Sequence, residues 1–376
     1  MRIAFYAPLK APDHPVPSGD RTIARLLVAA LRKGGAEVEI ASRIRSRISE
    51  PAEDAQQAMA KKGRAAAKRL IAQYRARPKR RRPQAWFTYH LYYKAVDWIG
   101  PEVAAALDIP YFIAEASHAP KRAEGPYAFS HAAAEAAIRG ADGIFCLNPI
   151  DRGCLAPLVG KRRLIDLAPF LDLADFTRDL PTRAAMRAKL ARDHGLNADE
   201  PWLLAIGMMR KGDKLASYRL LAEALQHLDR PWQLLIVGDG EARADVQRAF
   251  KPVAGGVFLL GARPREKLPE IAVACDLCVW PAVNEAFGMA LLEAQACGLP
   301  VVAGAWGGVP SIIVDGKTGW LSKPGDATEF SADVDFALDA PLGLAGKAAR
   351  ANALAKHDIA GAARTLITGI KKTIGK

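Results

Sequence analysis

Residues 280–319 read WPAVNEAFGMALLEAQACGLPVVAGAWGGVPSIIVDGKTG, with Glu285 and Glu293 separated by seven residues. The apolar run 277–280 just before them reads as a buried strand. Phe287, Ala290, Leu291, Ala294 and Cys297 recur at roughly helical spacing, and Gly298 and Pro300 stop the pattern. This predicts a helix over 287–297, with Glu285 in the loop at its N-terminus and Glu293 about two turns in. Free N–H groups at a helix N-terminus favour anions. A glycine there, Gly288, is expected to let a ligand approach the backbone closely. A strand over 299–303 and a small-residue loop over 304–308 follow. Together these parts suit a phosphate-bearing ligand whose hydroxyls are taken by two carboxylates.

The pattern E-x-F-G-x-x-x-x-E-A-x-A-x-G-x-P-V-V-A, then G-G-x-P-x-x-I-V-D-G-x-T-G, resembles the retaining glycosyltransferases of family four. The resemblance is dense over about 200–330 and looser before. It implies a GT-B fold: two Rossmann-like α/β domains, doubly wound, facing across a cleft.

At 376 residues the chain has the length of two domains. Half of it is hydrophobic and a quarter charged, as in an ordinary globular enzyme. No apolar run approaches the length of a membrane span, and the start, MRIAFYAPL, reads as a first strand rather than a signal peptide. Five cysteines in apolar contexts fit a reduced, cytoplasmic protein. Cys275-x-x-Cys278 lacks a second ligand pair for zinc and reads as core. The net charge of +13 is uneven: 14 Lys or Arg stand against three acidic residues between positions 43 and 82. That stretch runs into RARPKRRRPQAWFTYHLYY. It fits a solvated helix and loop, with Met59, Leu70 and Ile71 as sparse apolar positions. It also fits an anionic membrane surface or a lipid-phosphate acceptor reached through 43–93, with Trp86, Phe87, Tyr89, Tyr92 and Tyr93 at the interface. Nucleic acid is the weakest reading, since no helix-turn-helix, RNP or zinc-finger pattern accompanies the charge.

Within 1–178, a strand over 2–7, a Pro-rich loop over 8–18, a helix opening at Ser18-Gly19-Asp20 and a strand over 38–41 make a βαβ start. A helix is expected over 97–107 and strands over 111–115 and 143–147. The segment 164–172 resembles the family's last strand of the first domain. Gly19 resembles the family's acceptor-side loop glycine, without the usual second glycine. His118 follows the strand over 111–115 in a polar loop with Ser117, Lys121 and Arg122. By resemblance it contacts the transferred sugar, because an α/β sheet binds ligands at the carboxyl ends of its strands. Glu115 and Lys121 are further candidates.

The second domain is expected over 179–356, with a last helix over about 357–376 packing back on the first. After the strand over 202–206 comes GMMRKGDKLAS. The family grips the donor diphosphate here with G-R-x-x-x-x-K-G. This chain keeps Gly207 but has Met208 at the Arg place, and Lys214 one position late with no Gly after it. By residue type, Arg210 and Lys214 supply the two cations a diphosphate needs. Gly238-Asp239-Gly240 follows another strand. Arg243 replaces the third glycine of a dinucleotide fingerprint and no ribose-binding acid follows, so NAD is rejected. By resemblance, Gly207, Gly238 and Arg263 line the nucleotide pocket. Glu285 accepts from donor-sugar hydroxyls, the N–H groups of Ala286, Phe287, Gly288 and Met289 hold sugar and phosphate, and Glu293 takes the ribose.

The expected activity is therefore transfer of a hexosyl group from a UDP- or GDP-linked sugar to a cell-envelope glycan or lipid-linked acceptor. Anomeric retention is expected, with the leaving phosphate as base, because no β-face nucleophile is assignable. No metal and no cofactor are expected: Asp276 and Asp315 are isolated, and cations with helix N-termini neutralise the departing diphosphate. The alternatives are a catalytically degenerate GT-B binding protein and a nucleotide-sugar epimerase.

Overall fold

Every strand pair within the two sheets is parallel. The computed structural model describes residues 1–177 and 180–375. The chain divides by its internal contacts into two units. One holds Met1–Phe170 with the helix from Ile359 onward, the other Leu171–Asp358. The boundary expected at residue 178 lies outside the described residues.

In the first unit, β1 (Arg2–Tyr6), β2 (Glu37–Ser42), β3 (Ala85–Leu91), β4 (Tyr111–Ala116), β5 (Gly143–Cys146) and β6 (Leu164–Asp166) stand in the order β2-β1-β3-β4-β5-β6. Helices α1 (Gly19–Lys33), α2 (Glu53–Ala76), α3 (Gly100–Leu107), α4 (Ala128–Gly140) and α5 (Pro149–Val159) connect them. β3 was not expected from the sequence, where its residues were read as the aromatic end of a basic tail. Trp86 and Phe87 are fully buried and Tyr89 nearly so. They are core residues and not an interfacial belt, because β3 lies between β1 and β4 in a sheet of parallel strands, which buries both faces. α2 packs on α3. Its buried face is made of small residues, Ala60, Gly63, Ala66 and Ala67, between Gln56 and Tyr74, so few large apolar positions mark it. α3 starts at Gly100, later than expected. The buried Asp97 carboxylate accepts from the Ile99 and Gly100 N–H groups at 2.9 and 2.7 Å and from the Tyr111 hydroxyl at 3.1 Å. β6 ends at Asp166 and covers only the start of the strand expected over 164–172.

The second unit carries α6 (Ala174–Thr177), α7 (Arg183–His194), β7 (Trp202–Ile206), α8 (Asp213–Leu225), β8 (Gln233–Val237), α9 (Arg243–Ala249), β9 (Val257–Gly261), α10 (Leu268–Ala274), β10 (Leu277–Trp280), α11 (Met289–Ala296), β11 (Val301–Gly304), β12 (Gly319–Ser322), α12 (Ala327–Asp339) and α13 (Leu342–Lys356). Its strand order is β12-β11-β10-β7-β8-β9. The order reverses between β7 and β10, which pair as Leu277↔Leu203 and Cys278↔Leu204. Loops leaving the carboxyl ends of these two strands diverge, and such switch points are where open α/β sheets hold ligands. The last helix, α14 (Ile359–Ile374), packs on α1 and β5 of the first unit. Both units are Rossmann-like α/β layers.

Candidate functional site

The loop from β10 to α11 is tied to the N-terminal end of α8. The Val283 N–H donates to Ser217 Oγ at 3.0 Å, and Asn284 Nδ2 donates to Asp213 Oδ1 at 3.0 Å. Ala282 and Asn284 both hold left-handed backbone, with φ of 55° and 49°. For Ala282 this costs about 1–2 kcal/mol, so the surrounding contacts impose the loop's shape. The shape brings Glu285 to Lys214, and the two side chains form an ion pair. The Lys214 ammonium also lies 5.4 Å from the Trp280 ring centroid, a cation–π distance. Lys214 sits in the first turn of α8, where a cation opposes the helix dipole. Its placement there is explained by its partners and not by helix stability.

α11 begins at Met289, two residues later than the sequence pattern implied. Gly288 is its N-cap with φ of 70° and ψ of 41°, a left-handed conformation that cannot continue a right-handed helix. Glu293 is consequently the fifth residue of α11, about one turn in. The glycine is required by this φ. A side chain at 288 would point at Leu291, Ile312 and Val309 rather than at a ligand. Glu293 Oε1 accepts from Arg265 Nε at 2.9 Å, and the Arg265 guanidinium lies 5.3 Å from the Phe176 ring. Arg263, two residues earlier, is exposed. On the neighbouring strands, the loop after β8 lies directly on the loop after β7. Gly207 N–H donates to the Val237 carbonyl, and the Met209 N–H to the Asp239 carbonyl, both at 3.0 Å. A Cβ on Gly238 would stand 1.8 Å from the Gly207 carbonyl oxygen. Arg210 lies in this loop, partly buried. Asp276 stands at the opposite, amino end of β10, where it pairs with Arg183 and Arg187 and accepts from the Trp202 N–H at 2.7 Å. Asp315 accepts from the Leu321 N–H at 2.9 Å.

The first unit has its own polar cluster at the carboxyl ends of β3 and β4. His90, with φ of 61°, lies 3.0 Å from Asp20 and 3.7 Å from Glu115, itself at φ of 60°. The Ser117 hydroxyl donates to Asp151 at 2.8 Å. Burial disfavours a charged His90, but the Glu115 and Asp20 carboxylates outweigh it and lift its pKa to about 9. Burial lifts Glu115 to about 7. Burial opposes the Asp20 charge as well, yet the His90 ring holds its pKa below the usual value. Asp20 is fixed by the start of α1, whose N-cap is Ser18, accepting from the Arg21 N–H at 3.2 Å. Gly19 is the first helical residue, and a Cβ there would meet nothing within 4 Å. His118 turns towards α4, with Nε2 3.1 Å from Glu135 and its ring 5.0 Å from that of His131. Lys121 belongs to an exposed 3-10 turn, Pro120–Arg122.

A family model described as "Glycosyl transferases group 1" matches residues 200–340. By this match the segment is similar to the group 1 glycosyl transferases. It contains Gly207, Arg210, Lys214, Gly238, Arg263, Glu285 and Glu293. Over 182 residues the chain is 32% identical to a D-inositol 3-phosphate glycosyltransferase of Xylanimonas cellulosilytica, covering 47% of this chain and 43% of that protein. Over 227 residues it is 31% identical to a GDP-mannose-dependent alpha-(1-6)-phosphatidylinositol monomannoside mannosyltransferase of Mycolicibacterium smegmatis, covering 55% and 57%. The chain thus spans about half the length of these relatives. Among solved structures, a sucrose-phosphate synthase of Thermosynechococcus elongatus superposes with a TM-score of 0.78 at 21% identity, covering 100% of this chain and 99% of that one. Anabaena HepE in complex with UDP superposes with 0.76 at 15% identity, covering 99% and 100%. These likenesses establish the two-domain GT-B fold.

Within the segment that matches the family model, the structure brings Lys214 of α8 and Glu285 of the β10–α11 loop into contact and places Glu293 about one turn into α11. Three participants were not foreseen. Trp280 was visible only as the end of an apolar strand. Arg265 was overlooked beside Arg263, although its position just before α10 sets it opposite Glu293. The Asn284–Asp213 contact joins residues far apart in sequence. In the first unit, the cluster of Asp20, His90 and Glu115 was missed except for Glu115, because the strand that delivers His90 was not recognised.

Proposed function

We propose that the protein is a retaining glycosyltransferase that moves a hexosyl group from a UDP- or GDP-linked donor to a cell-envelope glycan or lipid-linked acceptor. The observation that carries this reading is the Lys214–Glu285 pair at the β7/β10 switch point, beside the N-terminus of α11. A lysine held between a carboxylate and an indole face is pre-positioned for an anion, and needs little reorganisation to meet a developing diphosphate charge. Arg210 adds a guanidinium suited to bidentate phosphate contact. Glu285 accepts from the sugar hydroxyls once the diphosphate takes Lys214, and Glu293, oriented by Arg265, takes the ribose. No metal is assigned to the diphosphate, since these cations and the α11 N–H groups balance its charge. With no nucleophilic carboxylate assigned, the leaving phosphate acts as base on the same face of the sugar, which gives retention.

On the acceptor side, His90 with Asp20 and Glu115 takes the place that sequence resemblance gave to His118. An imidazole between two carboxylates can hold a sugar hydroxyl and relay its proton. Two features support an anionic or lipid-linked acceptor. The relatives' names include inositol 3-phosphate and a phosphatidylinositol mannoside. The exposed face of α2 carries Lys61, Lys62, Lys68 and Arg69. No described helix is long and apolar enough to cross a membrane.

Thermal unfolding with UDP, GDP and ADP tests the donor reading. A ligand at 100 times its Kd stabilises by about 2.7 kcal/mol, so one of the nucleotides should raise Tm, and the corresponding sugar should be consumed in a donor screen. If none of the three nucleotides moves Tm, the reading fails in favour of a catalytically degenerate GT-B binding protein, for which Met208 at the family's arginine position already speaks. Equal initial rates with and without Mg2+ or Mn2+ are expected.

A further inference from the structure

We propose that His118, His131 and Glu135 of the first unit form a binding site for one divalent transition-metal ion of the zinc class, clipping the segment after β4 to α4. His131 and Glu135 are one turn apart on α4 and share a face of that helix. His118 arrives from the segment that follows β4. One ring nitrogen of each histidine and one carboxylate oxygen all lie within 4.8 Å of one another. His118 Nε2 and Glu135 Oε2 are already 3.1 Å apart. Ligands around a tetrahedral zinc stand about 3.4 Å apart, so the His118–Glu135 spacing already suits a shared ion.

A second observation points to a ligand. His131 is 3% exposed, and its Nε2 is buried without a hydrogen-bond partner. A buried ring nitrogen with nothing to bond is uncommon in folded proteins, and a metal ion would satisfy it. The carboxylate is prepared in the way metal sites require. Arg139 holds the other oxygen, Glu135 Oε1, at 2.7 Å, which fixes the group and leaves Oε2 turned to the histidines. Two imidazoles and one carboxylate favour zinc, cobalt or nickel over magnesium and calcium, which take oxygen donors. Three protein ligands leave a fourth position for water on the Glu135 side, which is the most exposed of the three. The ion would order the segment that carries Ser117, the partner of Asp151 in the polar cluster. It is independent of the donor diphosphate, whose proposed cations belong to the other unit.

The full-length chain, stripped of metal by dialysis against chelator, is titrated with Zn2+ by calorimetry and with Co2+ by electronic absorption. We expect one saturable equivalent of each, and a Co2+ spectrum with the intense d–d bands of a four-coordinate ion and no thiolate charge-transfer band. Mg2+ and Ca2+ should not compete. His131→Ala and Glu135→Gln should weaken binding by at least about tenfold, while Cys154→Ser leaves it unchanged. Absence of a saturable equivalent, a thiolate band, or undiminished binding in the His118→Ala/His131→Ala double variant would overturn the proposal. Should the variants not fold, the wild-type cobalt spectrum decides alone: weak six-coordinate bands overturn it.

Discussion

Lys214 and Glu285 hold each other in the absence of donor, and this arrangement makes their separate loss informative. Lys214→Ala removes the charge proposed to meet the diphosphate. Glu285→Ala removes the anchor of the lysine and, with it, the proposed sugar contact. Each should lower the transfer rate by about 10²–10³-fold, the usual cost of one electrostatic group aimed at a leaving charge. Circular dichroism should stay as in the parent, because both side chains lie in the first turn or loop and not in the core. Near-parental rates in either variant would falsify their assignment. His90 gives a prediction in pH. Its pKa of about 9 exceeds the unfolded value of about 6.5. The stability it adds is therefore complete below about pH 6.5 and lost as pH rises through 9. Glu115 is also raised, from 4.5 to about 7, so its burial weighs progressively against the fold over that window. The groups facing the pair are Asp20 on α1 and Asp151 on α5. Both slopes have one sign: Tm should fall from pH 5 to pH 9. His90→Gln should flatten the upper half of the curve in calorimetry, and a Tm that rises over this range would contradict the arrangement.

At the scale of elements, the strands of the second unit were legible because each is a short apolar run closed by Gly, Pro or a charged turn. β7 and β8 lie where that signal placed them. Two kinds of element were not. β3 was hidden because its aromatic residues follow a run of arginines, and composition alone does not separate a buried aromatic strand from an interfacial one. The start of α11 was misplaced because Phe287 continues the helical period in sequence, while the φ of Gly288 breaks the helix in space. Glycines divide similarly. Gly238→Ala would drive a Cβ into the Gly207 carbonyl, separating the loops after β7 and β8. It should destabilise by about 1–3 kcal/mol, seen as a lower Tm and loss of any nucleotide-induced shift. Gly19→Ala has open space and helical backbone, so Tm should hold or rise slightly. If an acceptor approaches the backbone there, the change will appear as a higher acceptor KM at constant stability.

Over the whole molecule, two Rossmann-like layers were forecast by the family resemblance that the pattern from Glu285 to Gly319 carries; the spacing of its carboxylates, glycines and prolines by itself reads only as one strand–helix–strand unit. The partners of those carboxylates were less legible. Lys214 was named for the diphosphate and not for Glu285, and Arg265 was not named at all, since contacts across 28 to 71 positions follow from topology rather than from local pattern. α14 offers a test at this scale. Leu366, Ile367 and Ile370 are buried within the first unit, and Gly34, the C-cap of α1, packs directly on Ile367. A chain ended at residue 358 would expose that face. It should lose the cooperative unfolding of the first unit in calorimetry while the second unit still melts as a separate transition.

The membership of α14 bears on the order of events during synthesis. The first unit is written in two instalments, and the whole second unit is translated between them. At about 5–20 residues per second, the ribosome spends roughly 10–40 s on the intervening segment. For that interval the face of α1 that awaits α14 has no native cover. The second unit, continuous in the chain, is complete before its predecessor. Nascent chains ended at residue 358 and carried clear of the exit tunnel by a flexible linker should therefore show a protease-resistant second unit beside a first unit that is still cleavable, and a chaperone that shields apolar helix faces would meet its substrate in that window.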